Sequence, residues 1–194
     1  MFLFAALDTG EPAEDTAASN VKIIEKSLRR IARGHTDEIG VIYDITKTSV
    51  YGFVLSIVKN AEDAEDILQD TYIKICLNAD AYTPQGKPMA WIFTIARNLS
   101  LMKLRGRNRT EDIPEYEWEQ IAAHNTQFRT EDRMVLSAAL SNISEQESQI
   151  VIMHAVAGMK HREIAEVMEM PLATVLSKYN RAIKKLKTIL EEDM

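Results

Sequence analysis

The 194-residue chain is long enough for one ordinary domain or two small ones. Its 46% hydrophobic and 27% charged residues, seven Gly and five Pro exclude collagen-like, mucin-like and wholly disordered classes. A single cysteine and a net charge of −6, with no Cys/His cluster at metal spacing and no apolar run near the ~18 residues of a membrane span, leave a soluble, cofactor-free cytoplasmic protein as the expectation.

In chain order, residues 1–19 carry four acids and no base and are expected to be an acidic tail. The opening Met1–Leu7 segment lacks the basic flank of a signal peptide. Val21, Ile24, Leu28 and Ile31 recur at helical spacing, and Gly34 is a natural stop. A second helical segment follows Thr36 and runs to Val58, with a break expected near Thr46–Ser49. Asn60, with Asp63 three residues on, has the form of an N-cap; the helix behind it places Ala64, Ile67, Leu68, Thr71, Tyr72 and Ile75 on one face. Residues Tyr82–Lys87 form a loop by their turn chemistry, and Pro88 suits the first position of the next helix. These helices predict one bundle over 20–106. Residues 107–133 lose apolar periodicity, hold Pro114 and carry a charge of −5 over 111–133, which predicts an acidic linker. In the second domain, 134–194, Ser144 with Glu147 forms a capping box and Gly158 ends the helix it opens. A short helix (Ile164, Val167, Met168), a turn through Pro171 and a final helix (Val175, Tyr179, Ala182, Leu186) complete an all-α, two-domain reading.

Charge is segregated more sharply than the average suggests. Residues 20–110 sum to +4, and two windows are purely basic, Arg97 to Arg109 and Lys178 to Lys187, with five cations each. Either stripe alone could be a solvated helix face. The second lies on the longer helix of a helix–turn–helix, where Thr174, Ser177, Lys178, Asn180 and Arg181 fall off the apolar face. Those side chains suit base edges and phosphates of the major groove. A second signal is the row Glu62, Asp66 and Asp70 at i, i+4, i+8, with Glu65 and Gln69 beside it. Like charges at this spacing cost a few tenths of a kcal/mol each and the helix dipole has faded by Asp70, so the row suits a basic protein partner or is simply solvated. The loop before Trp91, beside the first basic stripe, could hold an unstacked base. Trp91 and Cys76 are expected in the core. The scattered histidines form no nucleophile–base pair, and no phosphate loop is present, so an enzyme is not expected.

The string Asp63-Ala64-Glu65-Asp66-Ile67-Leu68-Gln69-Asp70-Thr71-Tyr72, then Trp91-Ile92-Phe93-Thr94-Ile95-Ala96-Arg97-Asn98, then the terminal helix–turn–helix, resembles the extracytoplasmic-function (ECF) sigma factors of the sigma-70 family. The resemblance spans roughly 22–110 and 131–190. It implies that Glu65, Asp66, Gln69 and Asp70 dock on the β′ clamp helices of core RNA polymerase. It implies that Tyr82, Thr83, Lys87, Trp91, Arg97, Asn98, Arg105 and Arg107, with Arg109 near the backbone, capture single-stranded −10 promoter DNA. Thr174, Leu176, Ser177, Lys178, Asn180, Arg181 and Lys185 would read the −35 duplex, in a domain that also meets the β flap, and an anti-sigma factor is a possible partner. The sequence departs from the family at Met102, Ala173, Leu176 and Ile183. Leu176 stands at a base-reading position, where it would either touch a thymine methyl or turn into the core. A helix–turn–helix regulator that never engages polymerase is the alternative reading.

Overall fold

The computed structural model describes residues 14–107 and 143–192. The first 13 residues of the acidic tail, the linker from 108 to 133 with Arg109, and residues 134–142 lie outside the described residues. Every element among the described residues is helical.

The first helix, α1 (Glu14–Ile31), starts inside the stretch read as tail and buries Ile24, Leu28 and Ile31. It stops where expected: Gly34 adopts φ 95°, a left-handed conformation open to glycine, and its amide reaches the Ile31 carbonyl at 2.8 Å. After a 3-10 turn (Thr36–Glu38), α2 (Ile39–Val58) runs without the expected break. The hydroxyls that suggested the break are satisfied within the bundle. Thr46 Oγ1 donates to Ile42 O at 2.7 Å, or shares its proton with the Tyr72 hydroxyl at 2.7 Å, and Ser49 Oγ donates to Thr46 O at 3.0 Å. All residues from 49 to 58 are buried, so the C-terminal half of α2 is enclosed on every side. Its stretch Thr36–Val58 is long and apolar enough to pass for a membrane span, but 67% of that window is packed inside the protein, as a core helix is.

Asn60 caps α3 (Ala61–Leu77) by accepting from the Asp63 amide at 2.9 Å. Pro88 opens α4 (Pro88–Arg107), whose Phe93 meets Phe53 of α2 edge-on at 5.0 Å. α3 and α4 are further joined where Lys103 reaches the Asp63 carboxylate at 2.9 Å.

The second helical domain begins with α5 (Glu145–Val151), which continues through a π turn (Ile152–Val156). α6 (His161–Met168) ends on Glu169 at φ 54°, and α7 (Leu172–Glu192) follows directly after Pro171. Ile150, Ile164, Val175, Tyr179, Ala182 and Leu186 form the core of this helix–turn–helix. The domain packs on the bundle, α5 and its π turn against α2 and α6 against α4. At Gly158 the approach to α1 is so close that a Cβ would stand 2.8 Å from Ala17 Cβ, at a backbone φ of 71° that already favours glycine.

Candidate nucleic-acid interface

Three surfaces carry the residues singled out in the sequence. On α3, the capped N-terminus and a buried apolar face turn Glu62, Glu65, Asp66, Gln69 and Asp70 all to solvent. Among the described residues Lys103 approaches the row, its Nζ 3.8 Å from Asp66. Such an exposed pair contributes little, so the row keeps its negative field.

The second surface surrounds the loop between α3 and α4. The rings of Tyr82 and Trp91 lie 5.3 Å apart and form one wall of an open cavity of about 320 Å³, which Thr83, Gln85, Lys87 and Thr94 also line. Trp91 is therefore half-buried as a cavity wall and not an enclosed core residue. The size and the aromatic lining suit a planar heterocycle. Arg97 is mostly shielded, with 22% of its side chain exposed, while Asn98 and Arg105 stand free on later turns of α4. The helix reaches Arg107, whose side chain lies outside the described residues.

Sequence reasoning missed the residue that shapes this loop. Glu25 of α1 accepts from the Tyr82 hydroxyl at 2.8 Å and from the Gly86 amide at 2.9 Å, both through Oε1. Burial first, and the adjacent Glu25 carboxylate second, push the Tyr82 phenol well above its ordinary range. An acid on an amphipathic helix carries no local sign of such a role, because its partners are 57 and 61 residues away.

On the third surface, α7 presents Leu176, Ser177, Asn180 and Arg181 to solvent, with Thr174 and Lys178 half-buried at their edge. Leu176 is 40% exposed, which excludes the core reading of this residue. Two of the cations are partly engaged within the domain. Lys185 Nζ donates to Glu147 Oε2 at 3.0 Å, and Arg181 lies 3.8 Å from Oε1. Glu147 is only 2% exposed and also accepts from the Ser144 amide at 3.0 Å and hydroxyl at 2.9 Å, completing the expected capping box. Burial alone would raise this carboxyl, but Lys185 and Ser144 outweigh it and hold the group below the usual range. Behind α7, His154 and His161 stack with ring centroids 4.0 Å apart, each meeting Tyr179 edge-on. Burial, then His154, lowers His161 to about 4. No group of three or more metal-ligating side chains occurs among the described residues.

Comparison with known proteins gives these surfaces a family. Residues 42–110 match Sigma-70 region 2 and residues 133–186 match Sigma-70, region 4, together more than half of the chain. The chain is 23% identical to the ECF RNA polymerase sigma factor SigK of Mycobacterium ulcerans, over 84% of this chain and 91% of that protein. It is 24% identical to SigW of Bacillus subtilis (88% and 98% covered) and 28% identical to EcfG of Rhodopseudomonas palustris (75% and 81%). Among solved structures, CnrH in complex with the cytosolic domain of CnrY superposes with a TM-score of 0.60 at 20% identity, covering 89% of this chain and 99% of that one. The sigma factor RpoE in complex with the anti-sigma factor NepR, from Bartonella quintana, gives 0.56 at 20% identity over 80% and 99%. These likenesses show the fold. A chain that carries both regions is not favoured as a regulator independent of polymerase. Sigma factors are in general non-enzymatic initiation factors. The acidic face on α3, the aromatic cavity beside α4 and the helix–turn–helix belong to one chain that matches both regions, and that chain is a member of the ECF group of the sigma-70 family, which directs core RNA polymerase to promoters.

Proposed function

We propose that the three surfaces divide the work of promoter recognition residue by residue. Glu65, Asp66, Gln69 and Asp70 on α3 dock on the basic β′ clamp helices of core polymerase, where complementary charge steers encounter and fixes register. The Tyr82–Trp91 cavity takes an unstacked −10 base, with Thr83 and Lys87 at its rim. Arg97, Asn98, Arg105 and Arg107 track the strand. Capturing a flipped base makes melting favourable locally, because the unstacking cost is offset by stacking on the two rings. On the −35 duplex, Thr174, Leu176, Ser177 and Lys178 sit on the first turns of α7, the part of a recognition helix that meets base edges, with Asn180 and Arg181 beyond them. Lys185 reaches phosphate only by leaving Glu147. The bundle 20–106, the acidic linker 107–133 and the domain 134–194 are the units of this reading.

The chain itself catalyses nothing in this proposal, works in the cytoplasm with polymerase, and has promoter DNA and an anti-sigma factor as its other partners. The observation that carries the reading is the exposed acidic row on α3, which a plain DNA-binding regulator has no use for. The test is run-off transcription with purified core polymerase on a genomic promoter library, comparing wild type with Asp66→Arg/Asp70→Arg. The variant should keep its helicity and lose both core binding and transcription. Unchanged core affinity in a folded variant would refute the assignment of this face.

A further inference from the structure

The first helix of the helix–turn–helix carries an acidic row that its own DNA-binding role does not explain. α6 presents Glu163 and Glu166, and Glu169 follows at its end; a helix that crosses a phosphate backbone would be repelled by them. Glu163 caps its own helix, accepting from the Lys160 amide at 3.0 Å, while Glu166 and Glu169 face the bundle. Glu166 takes Lys87 Nζ through both oxygens, at 2.8 and 3.0 Å, and Glu169 takes Arg97 at 3.3 and 3.5 Å. The hydrogen bond that Lys87 donates to Glu166 holds its ammonium above the ordinary range. Glu166 and Val167 also close one side of the cavity walled by Tyr82 and Trp91. The cations proposed above for single-stranded DNA are thus engaged by carboxylates of a helix of the same chain, which also forms one side of the cavity.

We propose that α6 is an autoinhibitory latch, a carboxylate-bearing mimic of the −10 strand that closes the single-strand reader until the two domains separate. The proposal rests on the assignment of the Tyr82–Trp91 cavity to single-stranded DNA. The electrostatic part of the latch is weak, and the packing of α5 and its π turn on α2 supplies the rest of the closed contact. Both carboxylates are solvent-exposed, Glu166 at 59% and Glu169 at 75%, against Lys87 at 40% and a more shielded Arg97 at 22%, so each pair holds the closed form only slightly. A second contact keeps the domains in register, at Gly158 against Ala17. Salt therefore acts on the free protein in two opposed ways: it screens the latch and it weakens DNA binding.

The test uses the full chain as wild type, Glu166→Gln/Glu169→Gln, and Ala17→Leu. The last is a wedge against Gly158 that changes no charge. Small-angle scattering reads the radius of gyration, and anisotropy reads binding of a fluorescein-labelled 12-nucleotide random single strand and of a duplex of the same length. Both variants should expand, and both should bind the single strand about two- to thirty-fold more tightly, since apparent affinity follows the open fraction. Their single-strand binding should also fall more steeply with salt than that of wild type, whose latch opens as binding weakens. Equal gains on single strand and duplex, confined to the Gln variant, would mean a charge effect and overturn the latch. No expansion in either variant overturns it as well. Expansion without tighter single-strand binding overturns it too, and transcription with core polymerase then separates the causes: if transcription persists the cavity assignment stands and the latch alone fails, and if wild type does not transcribe either, the assignment has failed beneath it.

Discussion

Replacing Glu147 by Gln tests whether the recognition helix is held by a buried charge. The carboxylate, 2% exposed, accepts three hydrogen bonds within 3.0 Å, two from Ser144 and one from Lys185. Gln keeps an acceptor oxygen but removes the charge, and a charge-assisted bond is roughly twice as strong as a neutral one. With ~1.5–3 kcal/mol for the charged form and ~0.5–1.5 for the neutral form, and with the three bonds sharing one oxygen, the loss should be about 2 kcal/mol. For a chain of this size that is roughly 4–8 °C in Tm. Because the folded carboxyl lies below its unfolded range, its contribution is present above about pH 4.5 and disappears as the pH falls through the folded value. The same change frees Lys185 and leaves Arg181 without its nearby anion. Non-specific duplex binding should rise, and its salt slope should steepen by about one to two. The decisive measurement is a double-mutant cycle with Lys185→Met, by urea unfolding, where a coupling of at least ~1 kcal/mol is expected. Additivity within ~0.5 kcal/mol would show that Lys185 does not hold Glu147 in solution and would refute the reasoning.

Leu176→Ala should leave the melting temperature unchanged, because the side chain is already 40% exposed, and should shift promoter preference at one −35 position in a library transcription assay. His161 is pushed down to about 4 from 6.5, so the unfolded chain takes the proton first: stability is complete above pH 6.5 and falls as the pH drops toward 4. The ring is partly exposed, which limits the loss to about 1–2 kcal/mol, and His161→Phe should flatten that limb in urea titrations at pH 7.5, 5.5 and 4.5. Glu25→Ala removes both bonds that shape the Tyr82 loop and should cost ~1–2 kcal/mol of stability. It should lower open-complex formation, read by permanganate footprinting, while core binding stays at the wild-type level.

What the sequence made legible was local. The Asn60 cap, Pro88 at the start of α4, the Ser144–Glu147 box and the exposed acidic row of α3 all follow from spacing within one or two helical turns. The continuity of α2 did not. Thr46 and Ser49 resemble a break because their hydroxyls compete for backbone partners, and only the enclosure of α2, with Tyr72 opposite Thr46, makes them compatible with a buried helix. The Glu25 clasp, the Glu147–Lys185 pair and the contacts of α6 on α4 join residues 38 to 79 positions apart. A helical period says which face is apolar, and it is silent on which distant carboxylate a cation will meet. That is why Lys87, Arg97 and Lys185 read as free DNA contacts in the sequence and are engaged with acids of the same chain in the structure.

The enclosure of α2 has a consequence for solubility. One flank of this helix is covered by the bundle and another by α5 and its π turn, with Lys59 and Glu145 3.8 Å apart at the margin. When the domains separate, the strip under α5 is laid bare, and it belongs to a stretch buried without interruption from 49 to 58. Apolar surface returned to water costs roughly 25 cal/mol per Å², and a contiguous strip of it invites association with whatever apolar surface is nearby. The separated form is thus a state that needs company. In the presence of polymerase the strip can be sheltered within the assembly; without it, conditions that part the domains should also make the chain self-associate.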